Sequence, residues 1–291
     1  MPKAVQLSAG EYRAEIYPDN GGSLGRLFWR DEALLQSSAD PQRLRDPSSV
    51  GMFPMVPFGG RVADAKFDWR GKCHALAAHP GESHAVHGNA WMEQWTVEDA
   101  GRTQARLRLE STCGPLAYRA DQHFSLDTDG LRVLLCVTNL ADMPLPFGLG
   151  FHPWFPRRPG NRIRFKARRF WLERPGGIPS DPITLPPELD FAAGAELPST
   201  WRNNIYEDWS GALQIDYPDR GFHVALTASS NLDWLMVYAN PALDFFCLEP
   251  QSHLPDAHNR DGVQDRYGLV ELDPGQYVSG RISIRAGELA Q

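Results

Sequence analysis

The 291-residue chain has no closely spaced cysteine pair: Cys73, Cys113, Cys136 and Cys247 stand far apart and form no Cys-x-x-Cys. That removes the usual cysteine-based zinc and redox motifs. Cys136 and Cys247 lie inside apolar runs, where a free thiol packs as a small hydrophobe, so no disulfide framework is expected. An excess of basic residues is also missing. Lys and Arg number 29 against 36 Asp and Glu, for a net charge of −7. Such a balance argues against nucleic acid or an anionic membrane as the main partner and suits a small neutral ligand. No apolar run approaches the ~20 residues of a membrane helix. The first residues, Met1 to Asp19, contain no stretch resembling the apolar core of a signal peptide, so a cytoplasmic location is expected. The phosphate-cradling patterns Gly-x-x-x-x-Gly-Lys-Ser/Thr and Gly-x-Gly-x-x-Gly do not occur, nor does the zinc motif His-Glu-x-x-His.

What the chain does have is short alternation of apolar and polar residues, the signature of strands with one face in a core. It runs over Tyr12 to Tyr17, Ala105 to Glu110, Leu131 to Thr138, Phe222 to Thr227 and Val278 to Ile284. Trp234 to Tyr238 and Phe245 to Leu248 are apolar on both faces, which predicts strands covered by a second sheet. Trp69-Arg70-Gly71-Lys72 reads as a hairpin turn. With 26 glycines and 24 prolines spread along the chain, strands must be short. One short helix is expected within Pro187 to Leu197, and the stretch from Arg157 to Asp190 reads as a long loop. No repeat or linker divides the sequence. The expected fold is all-β, a large antiparallel β-sandwich forming a single domain over residues 1–291.

Four segments carry reactive groups. Phe53-Pro54-Met55-Val56-Pro57-Phe58-Gly59-Gly60-Arg61 presents an arginine after a path bent by proline and glycine. Glu82-Ser83-His84-Ala85-Val86-His87-Gly88 holds two histidines, with Trp91 and Trp95 behind them. Gly148-Leu149-Gly150-Phe151-His152-Pro153-Trp154-Phe155 holds a third. Phe245-Phe246-Cys247-Leu248-Glu249-Pro250-Gln251 sets a carboxylate at the end of an apolar strand. Each histidine has an ordinary reading as a loop or strand-end residue, and Arg61 as a surface ion-pair partner. Glu249 is harder to place as filler, since an unpaired carboxylate is costly to bury. Aromatic faces beside polar groups suit a pyranose, which has apolar C–H faces and a polar rim. His84-x-x-His87, with His74 and His79 nearby, lacks the companion ligands of a zinc site, so no metal is expected.

Taken in order, these segments resemble the aldose 1-epimerase (galactose mutarotase) family over almost the whole chain, from Asn20-Gly21-Gly22 to the last strand. The specific pieces are Pro57-Phe58-Gly59-Gly60-Arg61, His87-Gly88 with Trp95, Gly150 to Phe155, and Cys247-Leu248-Glu249-Pro250. The resemblance implies a large sandwich, a metal-free and cofactor-free site in a sheet concavity, and an isomerase interconverting the anomers of a free sugar. It assigns His152 as general acid and Glu249 as general base. Arg61 and His87 match groups that hold sugar oxygens, and Trp154 and Asn203 join them as expected substrate-binding residues. Two positions depart from the family pattern. Gly60 replaces a common asparagine, and Asn203 stands where an acidic residue often grips hydroxyls; an amide loses the charge-assisted bond. The natural sugar is therefore open. Two rivals follow: a hexose-6-phosphate 1-epimerase, for which Arg157, Arg158, Arg168 and Arg169 are phosphate candidates, and a non-catalytic sugar-binding module. The expected catalytic geometry sets the imidazole and the carboxylate facing each other across a sugar-sized hollow.

Overall fold

The alternating segments assemble into two stacked antiparallel sheets in this computed structural model, which describes residues 4–38, 49–261 and 266–289. The expected domain over residues 1–291 therefore includes stretches outside the described ones. The first sheet has eleven strands. Ten lie in the order Val5–Ala9, Tyr12–Tyr17, Ser23–Trp29, Met52–Met55, Gly150–Pro156, Phe245–Gln251, Trp234–Ala239, Arg202–Glu207, Arg169–Arg174 and Ile178–Thr184. Glu32–Ala33 pairs alongside Ser23–Trp29. The second sheet has nine strands, centred on Leu116–Asp127, Gly130–Asn139, Tyr277–Glu288 and Phe222–Ala228.

Strand periodicity explains the packing. In the second sheet Leu116–Asp127 alternates buried and half-buried residues along its whole length. Its buried Ala120 and Phe124, with Val133, Leu135, Val224, Leu226, Ile282 and Ile284, form one wall of the main core. The first sheet supplies the other wall through Ile16, Phe151, Phe155, Phe246, Leu248, Leu235, Val237 and Tyr206. Side chains one residue away point outward: His152 and Trp154 beside Phe151 and Phe155, Cys247 and Glu249 beside Phe246 and Leu248.

The strands expected to be apolar on both faces are so, but a second sheet covers only one side. The outward face of Trp234–Ala239 packs instead under a satellite cluster of Trp171, Ile205, Trp234, Met236, Leu254, Ala257, Tyr267 and Leu269. Three further readings change. The stretch from Arg157 to Asp190 is not a loop; it contains Arg162–Phe165, Arg169–Arg174 and Ile178–Thr184, whose frequent Pro, Gly and Arg had hidden the pattern. The helix expected after Pro187 is a single 3-10 turn, Pro187–Leu189. The Glu249 strand continues through Pro250 to Gln251, so Glu249 lies within it rather than ending it. The predicted hairpin does form between Lys66–Trp69 and Lys72–Ala75, with Arg70 and Gly71 at φ 51° and 77° as a tight I′-type turn requires.

Candidate active site

The antiparallel register builds the centre of the site. Gly150 stands opposite Gln251 and Trp154 opposite Cys247 on adjacent strands. The positions midway between them, His152 and Glu249, therefore face each other on the outward side of the sheet. His152 Nε2 lies 3.2 Å from Glu249 Oε1, with side chains 12% and 4% exposed. The expected hollow between them is absent, because direct cross-strand neighbours touch. A ligand must instead approach both from the outward side of the sheet. On the other flank His152 pairs with Phe53, and their rings stack at 4.4 Å.

Two N–H groups decide the state of the histidines. Trp154, two residues along the same face, donates its indole Nε1–H to His152 Nδ1 at 2.6 Å. Trp154 is itself held by Phe245, stacked at 4.6 Å and 9°. The backbone N–H of Gly60 donates to His87 Nδ1 at 3.1 Å. A nitrogen that accepts carries no proton, so each neutral ring keeps its proton on Nε2. The His87 ring meets His152 edge to face at 5.1 Å. One ligand atom each from His87, His152 and Glu249 lies within 4.8 Å of the others. These three could converge on one sugar oxygen, or hold a divalent cation through two imidazole nitrogens and a carboxylate.

Burial sets the charges. It pushes the Glu249 carboxyl up to about 8, partly countered by the positive Arg61. It pulls His152 down to about 3, and holds His87 well below its usual range, with His152 and Arg61 adding to the depression. The resting pair is thus neutral overall near pH 7, rather than holding the ionised glutamate that its ordinary pKa implied.

Arg61 opens a two-residue strand paired with Ala85–Val86, which also brings in His87. Its guanidinium forms a two-point bond with Glu82: Nε to Oε2 at 2.9 Å and Nη2 to Oε1 at 3.0 Å. Gly60 before it has φ 66°, and a Cβ there would meet Pro255 Cγ at 2.5 Å. The side chain missing at position 60 is therefore excluded by the fold itself. Asn203 lies on Arg202–Glu207 opposite Tyr238 and donates its amide to Glu173 Oε1 at 3.3 Å.

Of the residues anticipated from sequence, His152, Glu249, His87 and Trp154 come together directly. Arg61 reaches Glu249 through its charge. Asn203 is linked through Glu173, on which Arg61 also acts. Phe53, Glu82 and Glu173 were not anticipated in these roles. Glu173 had a legible signal, since Trp171 and Glu173 keep strand spacing inside the supposed loop. Other groups turn elsewhere. His84 accepts the N–H of Asp64, and Trp95 is buried in the main core. Ser23 sits in a Gly-x-Ser-x-Gly spacing, but it is fully buried and opens a strand, so it presents no nucleophile. Three of the phosphate-candidate arginines pair with acids: Arg158 with Asp219 at 3.7 Å, Arg168 with Asp208 at 3.6 Å, Arg169 with Glu207 at 3.2 Å. Among the described residues, none of the four, Arg157 included, is paired with His152 or Glu249.

With the sandwich and its histidine–glutamate pair on the outward face of one sheet established, the comparisons give the family. The Aldose 1-epimerase family model matches residues 3–285, so the chain belongs to that family. The Escherichia coli (strain K12) protein YphB, itself uncharacterised, is 34% identical over 288 residues, covering 96% of this chain and 97% of that one. A crystal structure from Escherichia coli K12, whose name assigns it provisionally as an aldose 1-epimerase, superposes with a TM-score of 0.92 at 31% identity, covering 99% of both chains. A galactose mutarotase-like protein from Clostridium acetobutylicum shares the fold, with a TM-score of 0.87 at 18% identity over 98% of this chain and 95% of that chain. Among the described residues no helix is long and apolar enough to cross a membrane.

Proposed function

We propose that the protein interconverts the α and β anomers of a free, unphosphorylated aldose, with His152 and Glu249 as the acid–base pair. The observation that carries this reading is their 3.2 Å contact on the outward face of the sheet. Opening a hemiacetal means taking the proton of the O1 hydroxyl while giving one to the ring oxygen. Both oxygens are bonded to C1, so the two protein groups must lie side by side rather than far apart. Cross-strand neighbours meet that demand.

The pair, rather than either residue alone, carries the labile proton. The step starts from the form of the pair in which that proton has passed from the Glu249 carboxyl to His152. The Glu249 carboxylate receives the O1 proton while the imidazolium delivers one to the ring oxygen from Nε2, leaving the pair neutral. The His87 Nε2–H and Arg61 hold the sugar oxygens during the step. Rotation about C1–C2 and the reverse transfers close the ring as the other anomer and return the pair to its starting state. No oxidant, reductant or group donor is consumed. Acid–base help of ~10²–10⁴-fold is the expected scale for such a pair.

The phosphate reading lacks support, because three of its arginines are engaged with acids away from the pair. A pure binding module has no need of an imidazole and a carboxyl in contact with their charges suppressed by burial. The test is direct. Freshly dissolved α-anomers of several aldoses and hexose 6-phosphates are followed by NMR or polarimetry with wild type and Glu249→Gln. Acceleration of free aldoses by wild type alone supports the proposal. Acceleration confined to phosphorylated sugars, or none on any sugar, defeats it.

A further inference from the structure

We infer that Glu173 is a sugar-binding residue that, with Asn203, grips a ring hydroxyl and biases the site toward uncharged aldoses. The inference rests on the anomer-interconversion reading above and deepens it by naming a further specificity-determining residue.

Placement comes from the backbone. Arg169 pairs with Glu207 and Phe170 with Tyr206, and the same register carried outward sets Glu173 beside Asn203. Asn203 in turn stands opposite Tyr238, Tyr238 opposite Cys247, and Cys247 opposite Trp154. Glu173 thus lies on the same outward face as the catalytic pair, one row along the strands from it. The Arg61 charge acts on both Glu249 and Glu173, which ties the two carboxyls to one site. The turn that follows Glu173 closes on the same guanidinium: a Cβ on Gly177 would lie 3.0 Å from Arg61 Nη1.

The chemistry is that of an incomplete set of partners. Glu173 Oε1 accepts from Asn203, but Oε2 is buried and has no hydrogen-bond partner. A carboxyl oxygen removed from water without a donor is a standing cost, and burial accordingly pushes the Glu173 carboxyl up. A sugar hydroxyl is a donor of the right size, and its own oxygen can accept a second bond from a neighbouring N–H. Asn203 alone would offer a neutral acceptor; Glu173 adds the charge-assisted one. The charge count sets the class. Glu82 and Glu173 both lie under the charge of Arg61, which is already bonded at two points to Glu82, while Glu249 is neutral near pH 7. A phosphate or carboxylate on the sugar would enter a field of its own sign.

The experiment compares wild type with Glu173→Gln, which keeps the shape, and Glu173→Asp, which keeps the charge on a shorter stem. Anomerisation of one accepted aldose and its monodeoxy analogues is followed by NMR. We expect Glu173→Gln to raise KM about tenfold with kcat nearly unchanged, and Glu173→Asp to recover part of that loss. One deoxy analogue should cost the wild type heavily yet cost Glu173→Gln almost nothing more, which a merely structural role would not produce. Discrimination between an aldose and its 6-phosphate or uronic acid should also narrow in Glu173→Gln. An unchanged KM, or equal losses across all deoxy analogues in both proteins, overturns the inference. Should wild type accelerate no sugar, the proposed activity fails by itself. Tryptophan-fluorescence titration with the same sugars then still decides Glu173: weakened binding in Glu173→Gln supports it, and unchanged binding refutes it.

Discussion

The two outward faces of the sandwich have opposite characters. On the second sheet, outward charges pair with one another in water: Arg108 with Asp121 at 2.7 Å and with Glu98 at 3.6 Å, Arg119 with Asp121 at 3.3 Å. Those side chains are about a third to two-fifths exposed. On the first sheet, His152 and Glu249 meet at 3.2 Å with almost no exposure, and both are driven toward their neutral forms. The same strand geometry produces both pairs. The difference is cover: Phe53, Trp154 and the satellite cluster shield the first face, while solvent covers the second. A cross-strand ion pair in water is a modest surface contact, whereas one stripped of water becomes a reactive group.

That contrast can be broken most severely at Glu249. Glu249→Gln keeps the shape and removes the proton acceptor, and should cut kcat/KM by ~10²–10⁴-fold in a polarimetric assay. His152→Asn should fall in the same range, and a variant retaining full activity would displace His152 from the reaction. Trp154→Phe removes only the indole N–H. It frees His152 Nδ1 and with it the fixed tautomer, for an expected loss of roughly tenfold in kcat, on the scale of one lost hydrogen bond. Unaltered kcat would show that the Trp154 bond does not orient the ring.

The pH dependence sharpens the contrast further. A pair that needs one labile proton is active between the loss of a base below about 3 and the loss of an acid above about 8. The enzyme-dependent rate should therefore decline above pH 8, after the spontaneous rate is subtracted. A plateau through pH 10 would contradict the pairing. Stability follows the same linkage. The folded-state pKa of Glu249 is raised, so its contribution is fully present below the ordinary carboxylate range and is lost as pH climbs through about 8. Glu249→Gln should then melt ~2–4 °C above wild type at pH 8.5, with the gap closing at pH 5. On the other face Arg108→Ala should leave denaturant unfolding almost unchanged and activity untouched, because a surface ion pair in water contributes little.

Legibility in the sequence followed the same divide. Strands of the second sheet, with one wet face, announced themselves by alternation, as Leu131 to Thr138 and Val278 to Ile284 did. The central strands of the first sheet, Trp234–Ala239 and Phe245–Gln251, are buried on both sides, so alternation fades there, while Tyr12–Tyr17 nearer its edge still showed it. The run around Arg169–Arg174 was read as loop, and Glu173 went unseen with it. The reactive segments stood out because proline, glycine, histidine and carboxylate clustered where an ordinary strand would hold apolar residues.

By itself the sequence determined the all-β architecture, the family, and the identity of His152, Glu249, His87 and Arg61 as the groups worth finding, since composition and local spacing are properties of the chain. Only the tertiary structure decided that His152 and Glu249 touch rather than face across a gap, that Trp154 and Gly60 donate to the two imidazoles, and that Asn203 donates to Glu173. Those facts depend on which strands become neighbours, in which register, and on how far water is excluded. No local pattern encodes such relations between residues about a hundred positions apart.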